Sequence, residues 1–175
     1  MKTIDTHFLA LACLLAKGHL LIEDVPGTGK TLLAKNLADK LNIKTTRLQC
    51  TNDLLPSDIL GYNFYDQAKK KMVFKKGPIF SQVLLADELN RAPSKTQSAL
   101  LEAMEESQVS IEGETYPLEK PFFVIATQNP REHVGVFDLP ESQIDRFYLS
   151  LKMNELSRKD YKTILMQNTH ASPFD

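Results

Sequence analysis

The eight residues Asp24-Val25-Pro26-Gly27-Thr28-Gly29-Lys30-Thr31 bring together two glycines, an ammonium and a hydroxyl, the groups needed to hold a triphosphate. Glycines such as Gly27 and Gly29 let main-chain N–H groups approach phosphate oxygens, and the positive end of a following helix adds to the field. In such a loop the lysine, here Lys30, reaches the β and γ phosphates, and the hydroxyl, here Thr31, ligates Mg²⁺. The candidate nucleotide-binding set is therefore Asp24, Val25, Pro26, Gly27, Thr28, Gly29, Lys30, Thr31 and Leu32. Loops of this kind usually begin with glycine, and Asp24 stands in that place. The competing reading is a glycine-rich turn that merely joins a strand to a helix, and groups farther along the chain decide between the two.

Three such groups occur in order. Val83-Leu84-Leu85-Ala86 is an apolar run that ends in two adjacent carboxylates, Asp87 and Glu88. Ligands bind at the carboxyl ends of strands in open α/β sheets, so Asp87 is expected in the Mg²⁺ shell and Glu88 beside the water that attacks the γ phosphorus. Ala126-Thr127-Gln128-Asn129 closes a second apolar run, and Asn129 is placed to donate toward that water or the γ phosphate. An asparagine before Pro130 is also an ordinary turn residue. Asp145-Arg146-Phe147 offers a guanidinium with two readings: an arginine supplied to the nucleotide of a neighbouring subunit, or a structural salt bridge with Asp145 or another carboxylate.

Elements that position these groups alternate along the chain. The pattern predicts helices over 4–16, 30–41 and 94–106, and strands over 20–23, 45–49, 83–86, 122–127 and 147–151. Strands 83–86 and 122–127 read as continuous apolar runs, as expected when both faces of a parallel sheet are covered. In helix 94–106 the stripe Ala99, Leu100, Ala103 and Met104 is expected to face the core. Two insertions, 62–74 and 109–118, read as β-hairpins. Ser157 followed three residues later by Asp160 signals a helix over 158–167. This is read as the opening of a second domain that is otherwise absent.

Composition sets the outer limits. The chain has 175 residues, 42% hydrophobic and 25% charged, with a formal net charge of −1. That is enough for one full core, and the totals carry no footprint for nucleic acid. The one basic cluster, Lys69 to Lys71 with Lys75 and Lys76, reads as a solvated loop tip ahead of a polyanion site. The two cysteines, Cys13 and Cys50, read as small apolar fillers in a reducing compartment. The apolar run 8–16 is too short to span a membrane and is read as a helix packed beside the nucleotide, not as a signal peptide.

Taken together, the chain resembles a MoxR-type AAA+ ATPase. The likeness runs from about His19 to Met153 and is carried by the phosphate loop, by Leu54-Leu55-Pro56-Ser57-Asp58 and by Gly77-Pro78-Ile79-Phe80. It continues through LLADELNRAPSKTQSALLEAMEE, FFVIATQNP and LPESQIDRF. The resemblance implies a P-loop NTPase three-layer αβα sandwich, with a mainly parallel five-stranded sheet and two inserted β-hairpins. Residues 1–154 would form the nucleotide-binding core and 155–175 the start of a helical lid. It also implies a Walker A role for Gly27, Gly29, Lys30 and Thr31, a Walker B role for Asp87 and Glu88, sensor 1 at Asn129 and a finger at Arg146. ATP and Mg²⁺ would be bound, with Thr31 and Asp87 as metal ligands. The family assembles cytoplasmic rings, often hexameric, works beside von Willebrand factor A domain proteins, and remodels or matures partner proteins. A lidless nucleotide- or partner-binding module without turnover and a nucleic-acid-dependent motor are the alternatives, the second disfavoured by the charge balance.

Overall fold

The computed structural model describes residues 6–23, 33, 36, 37, 39, 41–129 and 135–152. In chain order its elements are α1 (Thr6–Leu15), β1 (Leu20–Glu23), β2 (Thr45–Gln49), α2 (Pro56–Leu60), β3 (Gly61–Asp66) and β4 (Lys71–Lys76). They continue with β5 (Val83–Asp87), a 3₁₀ turn (Leu89–Arg91), α3 (Ser94–Glu106), β6 (Gln108–Ile111), β7 (Glu114–Pro117), β8 (Phe123–Gln128), α4 (Glu141–Ile144) and β9 (Leu149–Lys152). Residues 33, 36, 37, 39 and 41 are helical, within the helix expected over 30–41.

Five strands form one sheet in the order β2-β5-β8-β1-β9, and every neighbouring pair is parallel. Alternate residues feed two separate cores, because successive side chains of a strand point to opposite faces. Leu21, Leu84, Ala86, Val124 and Ala126 pack with Leu100, Leu101, Ala103 and Met104 of α3. Leu20, Ile22, Val83, Leu85, Phe123 and Ile125 pack on the other face with Ala10, Cys13 and Leu14 of α1 and with Leu33 and Leu37. The result is a three-layer αβα arrangement. It explains the unbroken apolar runs: a strand with a helix layer on each side has no solvent face on which to place polar residues.

The strand order reverses at β1. The chain runs from β1 to the far edge at β2, returns through β5 and β8, and then passes β1 to reach β9. A reversal of this kind opens a crevice at the carboxyl ends of the central strands. β1 ends there at Glu23, and the phosphate-type sequence follows it in the chain.

Both insertions are antiparallel hairpins. In the first, β3 pairs with β4 from Gly61↔Lys76 to Asp66↔Lys71, which puts Lys69 and Lys70 in the exposed turn. Gly61 has φ 100°, and a Cβ there would strike the Lys75 carbonyl and the Gly77 nitrogen, so only glycine fits the base of this hairpin. In the second, Glu112 and Gly113 both have positive φ, which matches the twist of the flanking strands.

The outcome differs from expectation at element ends and in one helix. Strands β8 and β9 sit one to two residues later than read, and β5 extends through Asp87. α2, the 3₁₀ turn and α4 are too short to carry a periodic signal and emerge only in the structure. In α3 the buried face holds Thr96, Gln97 and Leu101 as well as Leu100, Ala103 and Met104, whereas Ala99 is only half-buried. Both cysteines are buried and unbridged, as expected of fillers. Residues 24–32 and the helix expected over 158–167 lie outside the described residues. Among the described residues no helix is long and apolar enough to cross a membrane.

Candidate active site

The carboxyl ends of β2, β5, β8, β1 and β9 line up in register, Gln49 beside Asp87, and Gln128 and Lys152 on either side of Glu23. Polar side chains are thus delivered along one edge of a sheet whose three central strands are otherwise apolar. Glu23, the last residue before the phosphate-type loop, accepts from Gln128 Nε2 at 3.1 Å and pairs with Lys152 Nζ at 3.3 Å.

Asp87 is gripped from both neighbouring strands. Thr127 Oγ1 of β8 donates to Asp87 Oδ1 at 2.7 Å, and Arg47 of β2 pairs with Asp87 Oδ2 at 2.7 Å. Glu88 comes next, in the left-handed backbone region at φ 57° and ψ 49°. For a residue with a Cβ this conformation costs roughly 1–2 kcal/mol. The local bonds that hold it are identifiable: the Glu88 N–H donates to Thr127 Oγ1 at 2.9 Å, and its carbonyl accepts from the Arg91 N–H at 2.8 Å as the 3₁₀ turn begins. The Glu88 carboxylate accepts from Gln49 Nε2 at 2.9 Å and pairs with Arg91 at 3.0 Å. Arg47 also donates to Gln49 Oε1 at 2.9 Å, so the β2 side chains form a chain of contacts along both acids.

Asn129 is buried at 5% exposure one residue beyond β8, and its carbonyl accepts from Asn90 Nδ2 at 3.3 Å. The structure therefore places Asp87, Glu88 and Asn129 at one sheet edge. Cys50 registers the field there. Its N–H donates to the Asp87 carbonyl at 2.9 Å, and its thiol is pushed up to about 12, first by burial and then by the charges of Asp87 and Glu88.

Arg146 keeps different company. It pairs with Glu105 of α3, in a cleft shared with Ser98, Glu102 and Gln143. The reading of a salt bridge to another carboxylate therefore describes its contact within the chain. Residues 24–32, including Lys30 and Thr31, lie outside the described residues.

Sequence reasoning passed over Thr127, Arg47, Gln49 and Arg91, although Thr127 bonds both acids and each of the others holds one. Thr127 alone carried a signal, as the single hydroxyl closing an apolar run. Arg47 and Gln49 lie in a polar-looking edge strand and become site residues only through pairing with β5.

Residues 19–149 match the model of the ATPase family associated with various cellular activities (AAA). The chain is 47% identical over 171 residues to the Bacillus subtilis protein YeaC, covering 98% of this chain and 53% of that protein. It is 47% identical over 155 residues to the chaperone MoxR1 of Mycobacterium tuberculosis, covering 89% of this chain and 41% of that one. A crystal structure of a protein from Cytophaga hutchinsonii superposes with a TM-score of 0.82 at 45% identity, over 97% of this chain and 51% of that one. The chain thus spans about half the length of the relatives it matches.

Proposed function

From the premise that this chain belongs to the AAA family of ATPases, as one of its MoxR-type members, we propose that it binds ATP with Mg²⁺ at the carboxyl edge of its sheet and hydrolyses it. The work of that cycle would be done in the cytoplasm, within a ring of copies that remodels a partner protein.

The observation that carries the reading is the pair Asp87 and Glu88 at the carboxyl end of β5, each carboxylate held by side chains from neighbouring elements. The donor set suits Mg²⁺, which takes hard oxygen ligands, keeps several waters and needs one or two carboxylates besides the phosphates. Asp87 would supply that carboxylate, directly or through water, and Thr31 the hydroxyl. When bound, the ion neutralises charge on the phosphate oxygens. Glu88 would orient the attacking water and draw on its proton, a role that requires it to leave Gln49 or Arg91 as substrate arrives. Asn129 would donate toward the same water or the γ phosphate. Lys30 and the main-chain N–H groups of the loop would hold the phosphates in line, which is most of what phosphoryl transfer asks of a protein. Arg146 would act on the nucleotide of the adjoining copy after parting from Glu105.

Phosphate release tests this reading. Glu88→Gln should bind ATP with near-normal affinity and lose roughly 10²- to 10⁴-fold in turnover. Lys30→Ala should lose binding itself. Magnesium-dependent release that persists unchanged in both variants excludes the proposal.

A further inference from the structure

We propose that Thr127 is a positioning residue for hydrolysis, one hydroxyl that sets the direction of both acids at once; the inference rests on the ATP reading above. Thr127 is fully buried, in a strand whose preceding residues are Phe123, Val124, Ile125 and Ala126. Packing alone would be met by valine, which has the same shape. The hydroxyl is what differs, and both of its hydrogen bonds go to the site.

A hydroxyl has one hydrogen to give and lone pairs to accept with. Thr127 gives its hydrogen to Asp87 Oδ1 at 2.7 Å and accepts the Glu88 N–H at 2.9 Å. The register explains why this residue serves. β5 and β8 pair in parallel up to Ala86↔Ala126, so Asp87 and Thr127 come next on adjacent strands. At that point β5 turns out of the sheet into the left-handed residue Glu88, and the Thr127 side chain supplies the acceptor for its N–H.

Among the described residues Asp87 also meets Arg47, but the two holds differ in kind. Arg47 is half exposed and joined to Gln49, and its long side chain is free to rearrange when a cation arrives. Thr127 is fully buried and stiff at χ1. It is the fixed reference, and Arg47 the yielding one. The direction of the Glu88 side chain is set by its backbone, so the same hydroxyl steers the residue proposed to activate water.

The test compares Thr127→Val, which removes only the hydroxyl, with Thr127→Ser, which keeps it and removes only the methyl. In the purified protein, kcat for ATP should fall roughly 10- to 100-fold in Thr127→Val with little change in KM, the scale expected when reacting groups are displaced by about 1 Å. Thr127→Ser should recover most of it. Calorimetric titration with a nonhydrolysable ATP analogue, with Mg²⁺ and with EDTA, gives a readout besides turnover. The tightening that Mg²⁺ brings should shrink in Thr127→Val and survive in Thr127→Ser. Thr127→Ala serves as the second hydroxyl-free variant if valine hinders folding, with the same expected pattern. Wild-type turnover and an unchanged Mg²⁺ effect in the hydroxyl-free variant overturn this inference alone. So does equal impairment of Thr127→Ser, since packing would then be the cause. A wild-type protein with no Mg²⁺-dependent nucleotide binding overturns the ATP reading and this inference together.

Discussion

At the scale of single residues, three buried polar side chains, Asn90, Thr96 and Gln97, follow closely after Asp87. Gln97 is fully buried in α3, and the two hydrogens of its Nε2 are shared among three carbonyls, those of Phe137 at 2.8 Å, Ala92 at 3.0 Å and, as the longest contact, Leu89 at 3.3 Å. It therefore fastens the 3₁₀ turn behind Glu88 to the stretch that leads into α4. Removing a buried partner leaves the other group to bear its desolvation, which costs about 1–3 kcal/mol. Gln97→Leu should destabilise the protein by about 2 kcal/mol, read from the urea midpoint, and lower turnover because Glu88 loses the support behind it. An unchanged midpoint would show that the three carbonyls find other donors.

Among elements, the two hairpins are not independent of one another. Phe74 of β4 stacks on Tyr116 of β7 with ring centroids 4.2 Å apart, and both meet Phe80. Asn63 of β3 donates to Glu112 in the turn of the second hairpin at 2.8 Å. The second hairpin in turn begins just after α3, which starts shortly beyond the 3₁₀ turn next to Glu88. A double-mutant cycle on Phe74→Leu and Tyr116→Leu should give a coupling of about 0.5–1.5 kcal/mol, the usual worth of such a ring pair. Additive losses would mean that each hairpin is anchored separately.

For the molecule as a whole, a buried histidine at the opposite sheet edge joins the layers. His19 Nδ1 accepts the Val124 N–H at 3.1 Å, and Nε2 lies 3.2 Å from the Met104 carbonyl, to which it donates as the neutral tautomer. One ring thereby ties the start of β1 to β8 and to the last turns of α3. Burial pulls its pKa below the ordinary histidine value, against an opposing effect of the Met104 carbonyl. Protonation would place a hydrogen on Nδ1 and leave the Val124 N–H without its acceptor. Lys17, Glu105 and Lys120 line the cavity of about 440 Å³ beside it, and the two lysines add no help for a cation. Linkage sets the sign: the unfolded chain binds the proton more readily, so stability is full above the ordinary histidine pKa and falls as pH drops through it toward the folded value. Unfolding midpoints should therefore decrease from about pH 7.5 to about pH 5.5, and His19→Leu should flatten that part of the slope. A slope unaltered by the substitution would assign it to other groups.

How much was legible in advance divides along the same physical lines. Unbroken apolar runs, glycine spacing and acids at a strand end are local patterns, and they determined the three-layer fold, the parallel sheet, both hairpins, and Asp87, Glu88 and Asn129 as candidates. Short elements such as α2 and α4 hold too few residues for a period to show. Tertiary structure alone decided what grips the acids. Thr127 and Arg47 lie 40 residues to either side of Asp87, and strand pairing, which no local pattern encodes, makes them neighbours. It also decided that Arg146 meets Glu105 and that Gln97 is buried, since a polar side chain is drawn inward only where folding collects carbonyls that need it.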